Sequence, residues 1–167
     1  MINKCQDDEF CSLIEMIVNN EEFQKTKQIT HHGITRYEHL MRVSFYSYKI
    51  TKFLKLNYQE TTRASILHDF FLEETKEDNT VHALRRHPGY ALDNASRYFD
   101  LTDLEKDIIT THMFPVTFTP PKYLESWIVD LIDDVAGVYE RFYSIRAELR
   151  AATTFLMIFF LNYIRFK

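Results

Sequence analysis

Six side chains able to bind a divalent cation recur along this chain in helix-like surroundings. They are His39 in YEHLMRV, His68 and Asp69 in ASILHDFF, His87 in RRHPGYA, His112 in ITTHMFP and Asp133 in IVDLIDDVAG. Apart from the adjacent His68-Asp69 pair, they follow one another at intervals of 18 to 29 residues. One such histidine is more often a hydrogen-bonded core residue than a ligand; an ordered set ending in aspartate reverses that weighting. Imidazole and carboxylate donors without thiolates favour oxygen-rich, octahedral coordination, so one or two ions of Fe, Mn, Co or Mg are expected rather than Zn. A structural zinc site would recruit cysteine, and Cys5 and Cys11 lie far from the set. The chemistry open to these residues is metal-assisted phosphoester hydrolysis, in which a cation acidifies water and neutralises charge on phosphate oxygens. Asp69, with His68 beside it, is the expected catalytic centre, holding both metal and the attacking water.

These ligands need helices to position them. Adjacent residues on a helix point about 100° apart, so His68 and Asp69 share a metal only if Asp69 reaches along a helix end or bridges two ions. Asp8 precedes an apolar-periodic stretch through Phe10, Leu13, Ile14, Ile17 and Val18, a first amphipathic helix. Thr35 with Glu38 forms a capping box for a helix to about Leu56, carrying an apolar stripe of Leu40, Val43, Ile50, Phe53 and Leu54. Asn57 with Glu60 repeats the pattern for a helix ending near Phe71 and Leu72, followed by an acidic loop, Glu73 to Asn79. Pro88 suits the first turn of a helix from Tyr90 to about Tyr98. Thr102 with Glu105 opens another, ending near His112 or Met113; a segment from Tyr123 to about Glu140 and a last helix complete the chain. The expectation is an all-α, compact single-domain bundle of about seven or eight helices over residues 1–167.

Composition narrows the function. Three Gly and four Pro, with no GxGxxG or GxxxxGK[ST], exclude Rossmann and P-loop nucleotide binding. A net charge of −4 provides no long-range attraction for nucleic acid, so no stable nucleic-acid binding is expected. The start, MINKCQDDEF, lacks a signal-peptide core, and Cys5 and Cys11 read as reduced thiols, so a cytoplasmic location is expected. The apolar run from Ala151 to Ile164 is short for a membrane span. It reads as a buried or dimer-forming helix, with a homodimer the expected assembly.

The residues His39, His68-Asp69 and Asp133 resemble the HD domain, a helical superfamily of metal-dependent phosphohydrolases. The likeness covers roughly residues 30 to 140 and extends to small bacterial HD-domain proteins through ASILHDFFL, HPGYALDNASRYF and LEKDIITTHMFPVTFTPPKYLES. It implies that His39, His68, Asp69 and Asp133 bind a first metal. It also implies that His87 and His112 serve a second, with Asp69 bridging. The HD-GYP type follows His-Asp with Gly-Lys and carries a Gly-Tyr-Pro motif, whereas this chain reads HDFFLEE; cyclic-dinucleotide specificity is not carried over. The expected substrate is a nucleotide or other small phosphorylated metabolite, with a non-catalytic metal- or nucleotide-binding regulatory module as the alternative. His32, Arg42 and Lys122 are candidate substrate contacts, Arg42 because it lies three residues after His39 on the same helix face.

Overall fold

Polar caps set where most of the helices begin. In the computed structural model, which describes residues 7–31, 34–72 and 81–165, the Asp7 carboxylate accepts from the Phe10 N–H and opens α1, Asp8–Val18. Asn20 caps α2, Glu21–Gln24, which runs into a 3₁₀ turn, Lys25–Gln28. Two short strands, β1 Thr30–His31 and β2 Ile34–Thr35, pair antiparallel with Thr30 opposite Thr35. The capping box at Thr35 and Glu38 then starts α3, Arg36–Phe53, one turn ahead of His39. α4 is Tyr58–Leu67, α5 Val81–Tyr98, α6 Asp103–Thr111 behind the Thr102–Glu105 capping box, and α7 Leu124–Arg165. Among the described residues the fold is all-α, with seven α-helices and one 3₁₀ helix.

Several boundaries differ from those read in the sequence. α3 stops at Phe53 because the chain reverses through Lys55 at φ 58°. Asn57 accepts from the Glu60 N–H, but the Glu60 carboxylate takes the Thr102 hydroxyl instead of closing a capping box. α4 ends before His68, four residues short of the expected end, which puts His68-Asp69 at the turn rather than inside the helix. Pro88 lies inside α5, not at its first turn; the missing N–H costs one ladder bond, and the helix continues on both sides. Leu124–Arg165 is one helix rather than two, since Gly137 sits in α7 without interrupting it. Cys11 is disulfide-bonded, which corrects the reading of it as a reduced thiol. Cys5 lies outside the described residues.

The core has two parts that meet along α3 and α4. Phe10, Ile14, Ile17, Phe23, Leu40, Tyr48, Ile66 and Phe70 form the larger, with Phe23 and Phe70 rings 5.4 Å apart. Val43, Ala64, Leu104, Ile108, Val129, Ile132 and Ala136 form the smaller and fasten α7 to α3, α4 and α6. Of the expected α3 stripe, Leu40 and Val43 are buried, but Ile50, Phe53 and Leu54 are exposed. Small polar residues take the contact face instead. Ser44, Ser47, Thr62 and Ser65 are buried, and Ser44 Oγ donates to the Thr62 carbonyl at 2.9 Å. Short side chains at this crossing let the two backbones approach closely, bringing His39 on α3 near the end of α4.

Candidate metal centre

Two of the histidines share one local device. His68 is the C-cap of α4, and its Nδ1 lies 2.7 Å from the Ser65 carbonyl; His112 is the C-cap of α6, with Nδ1 2.8 Å from the Ile109 carbonyl. A carbonyl only accepts, so Nδ1 carries the hydrogen in both rings and Nε2 presents its lone pair. Each imidazole thus satisfies a terminal helix carbonyl and aims its other nitrogen into the space between helices. His87 comes from within α5, His39 from the second turn of α3, and Asp133 from α7.

The structure brings all six expected ligands together. Asp133 Oδ1 lies 2.9 Å from His39 Nε2 and 3.4 Å from His68 Nε2. Asp69 Oδ1 lies 3.3 Å from His87 Nε2 and 3.5 Å from His112 Nε2, which are themselves 2.9 Å apart. Donor atoms at bond lengths near 2.1 Å are separated by about 3.0 Å at octahedral and about 3.4 Å at tetrahedral angles, so these five distances match the edges of a coordination shell. Hydrogen bonding explains them less well. His68 Nε2 and Asp69 Oδ1 are buried without a hydrogen-bond partner, a costly state unless something else occupies their lone pairs. Three overlapping groups could hold an ion: His39, His68 and Asp69; His68, His112 and Asp133; and Asp69, His87 and His112. Asp69 belongs to two of them.

The electrostatics separate these groups. Burial alone would lower the His39 pKa, but hydrogen bonds to Asp133 and Glu140 outweigh it and raise the imidazole to about 10. Burial dominates at His87 and brings it down to about 4 despite Asp69. Desolvation opposes ionisation of Asp69 and Asp133, yet the surrounding histidines hold both carboxyls well below the usual range. Both aspartates are therefore carboxylates at neutral pH, as cation binding requires.

Glu140 is the member of the site that motif spacing did not single out. It is buried on α7; its Oε2 accepts from His39 Nδ1 at 2.9 Å, and its Oε1 pairs with Arg42. A carboxylate behind an imidazole fixes the ring and raises its basicity toward a metal. Its signal was available: Glu140 falls seven residues after Asp133, two turns along the same face. Arg36, another cation near the ligands, is buried and donates to the Phe71 carbonyl at 2.5 Å while stacking on the Phe71 ring, tying the segment after Asp69 to the start of α3.

The chain matches no family model, no curated protein and no solved structure. Of the candidate substrate contacts, Arg42 lines a cleft of about 300 Å³ with Ile34, Tyr139, Glu140 and Tyr143. The Tyr139 and Tyr143 rings stack 6.3 Å apart. Lys122 has an exposed side chain, and its backbone N–H donates to Asp107. His32 lies outside the described residues. No helix among the described residues is long and apolar enough to cross a membrane.

Asp130, one turn before Asp133, is buried with Oδ1 unpartnered, and its carboxyl is pushed up to about 7, first by burial and then by Asp134. A folded-state pKa above the ordinary 3.8 means that stability from this group is present below that value and lost as pH rises through about 7. In chelator-treated protein, Asp130→Asn should therefore melt with the parent near pH 4 and a few degrees above it at pH 8, at ~2–4 °C per kcal/mol for a chain of this size. Thermal melts across that range check it; equal melting at pH 8 would refute the assignment.

Proposed function

We propose that this chain is a metal-dependent phosphohydrolase of the HD type, cleaving a phosphoester of a nucleotide or another small phosphorylated metabolite. The observation that carries the reading is the pair of adjoining His/Asp clusters, His39 and His68 about Asp133 and His87 and His112 about Asp69, with donor atoms 2.9–3.5 Å apart, and Asp69 also grouped with His39 and His68. His39, His68, Asp69 and Asp133 would hold one cation, and Asp69, His87 and His112 a second. Their nitrogen and oxygen donors favour Fe, Mn, Co or Mg. When bound, such cations supply the positive charge that acidifies a water and balances charge on phosphate oxygens.

The chain's own residues do the rest. The C-cap bonds of His68 and His112 hold their rings in one tautomer, and Glu140 does the same for His39. The cleft beside Glu140 offers the Arg42 guanidinium for a phosphate and the faces of Tyr139 and Tyr143 for a base. Arg42 is already paired with Glu140, so it would contact substrate as part of that pair rather than as an isolated charge. A cytoplasmic setting stays within the proposal, but Cys11 in a disulfide gives it no support.

The test is elemental analysis of protein purified without chelator, followed by phosphate release from a panel of nucleotides and phosphoesters with Mn²⁺, Co²⁺ or Fe²⁺. About two ions per chain and metal-dependent release are expected. A fully metallated protein that is inert on the panel, yet gains melting temperature with an intact nucleotide, would replace the hydrolase with a regulatory module. Absence of metal after Mn²⁺ addition would end the hydrolase reading.

A further inference from the structure

The outer face of α7 carries a second pattern, independent of the metal centre. Leu124, Leu131, Val135, Val138, Phe142, Ile145, Leu149 and Leu156 are each 48–71% exposed. From Leu131 to Leu149 they fall at alternating steps of four and three, and Leu156 follows one heptad later, the a and d positions of a heptad repeat over more than three heptads. The stripe lies opposite Val129, Ile132, Ala136 and Glu140, which face the core and the metal centre. A helix that carries an exposed apolar stripe in seven-residue register, flanked by charges, is built to meet another helix.

We infer that this seam is the interface of a homodimer in which α7 pairs antiparallel with α7 of a second copy about a two-fold axis. The area suits that occupant: the seam side chains and Tyr139 expose on the order of 900 Å² per chain, against ~800 Å² per partner in a stable interface. An isologous pairing also needs no other surface, since the same stripe supplies both sides. The flanking charges choose the direction. In a parallel pair, Arg141 at a g position would face Arg146 at the e position of the second copy, a like-charge contact. With the axis between Phe142 and Ile145, antiparallel pairing instead stacks Phe142 on Ile145, Val138 on Leu149 and Leu131 on Leu156 of the second copy. It also sets each exposed Arg146 against a Tyr139 ring, a favourable cation–π contact. The metal centre lies away from the stripe, and Tyr139 stands where the stripe borders the Arg42 cleft. Of the two readings of the apolar run, buried or dimer-forming, the proposal takes the second, since Phe155, Leu156 and Met157 are exposed on the single chain.

Sedimentation equilibrium on the full chain tests this. The expected mass is twice the 20.0 kDa of one chain at micromolar concentration, falling to one chain in Val138→Glu/Ile145→Glu with helical circular dichroism and metal uptake retained. Arg146→Glu separates the two directions: it weakens an antiparallel dimer several-fold by removing the Tyr139 contact, and would tighten a parallel one by facing Arg141. A monomer at 100 µM, a double variant that still dimerises, or a wild-type monomer that instead cosediments with anionic phosphatidylserine vesicles would each overturn the proposal. So would tighter association of Arg146→Glu, which would overturn the antiparallel arrangement.

Discussion

Asp69→Asn is expected to lower bound metal to less than a tenth of the parent's content under the same purification, and metal-dependent phosphate release by at least about 100-fold. The floor comes from outer-shell partners, whose loss alone costs 10–100-fold in affinity or activity; a shared direct ligand must cost more. Asp69 Oδ1 is the oxygen around which His87 and His112 close, and Asp69 is also grouped with His39 and His68. Asparagine preserves size and one neutral oxygen but removes the charge that balances up to two cations. The fold should persist, because α4 ends through His68 and Ser65, and Arg36 anchors the next turn at Phe71; neither contact uses the carboxylate. Elemental analysis with circular dichroism as the folding control decides the matter. A folded variant that keeps its metal would remove Asp69 from the ligand set.

Much of this site was legible because metal ligation constrains residue type strongly, and helix ends leave local marks. His68 and His112 both close apolar helical runs, and in both the ring bonds the carbonyl three residues back. The capping boxes at Thr35 and Thr102 located the helices that carry His39 and His112. Tertiary context decided what local pattern could not. Pro88 reads locally as a helix start, yet α5 begins seven residues earlier and carries His87 within it. Ile50 and Phe53 match a core stripe by period, but the face of α3 that packs is the one bearing Ser44 and Ser47, because the close crossing with α4 has no room for larger groups. Glu140 escaped notice for a related reason. A glutamate near an expected helix end looks solvated, and only the continuity of α7 keeps it on the inner face, seven residues after Asp133.

Glu140→Gln is expected to weaken metal binding by about 10–100-fold at alkaline pH, with the deficit shrinking as pH falls. The carboxylate now accepts from His39 Nδ1 and pairs with Arg42; the amide keeps the shape but supplies one neutral acceptor, so the imidazole loses basicity and its ring loses an anchor. Proton competition runs the other way. In the metal-free protein His39 is held near pKa 10 by Asp133 and Glu140 against the pull of burial, so at pH 7 a cation must displace a proton, and removing Glu140 makes that proton easier to lose. Below about 10 the two effects oppose each other, and the gap between parent and variant narrows with each step toward neutrality. Chelator-competition titrations from pH 6.5 to 9.5 measure it directly, and an NMR titration of the His39 ring in metal-free variant should show its pKa below that of the parent. Equal affinities at pH 9.5, or a gap that widens as pH falls, would show that Glu140 holds Arg42 alone and leaves the ligand histidine untouched.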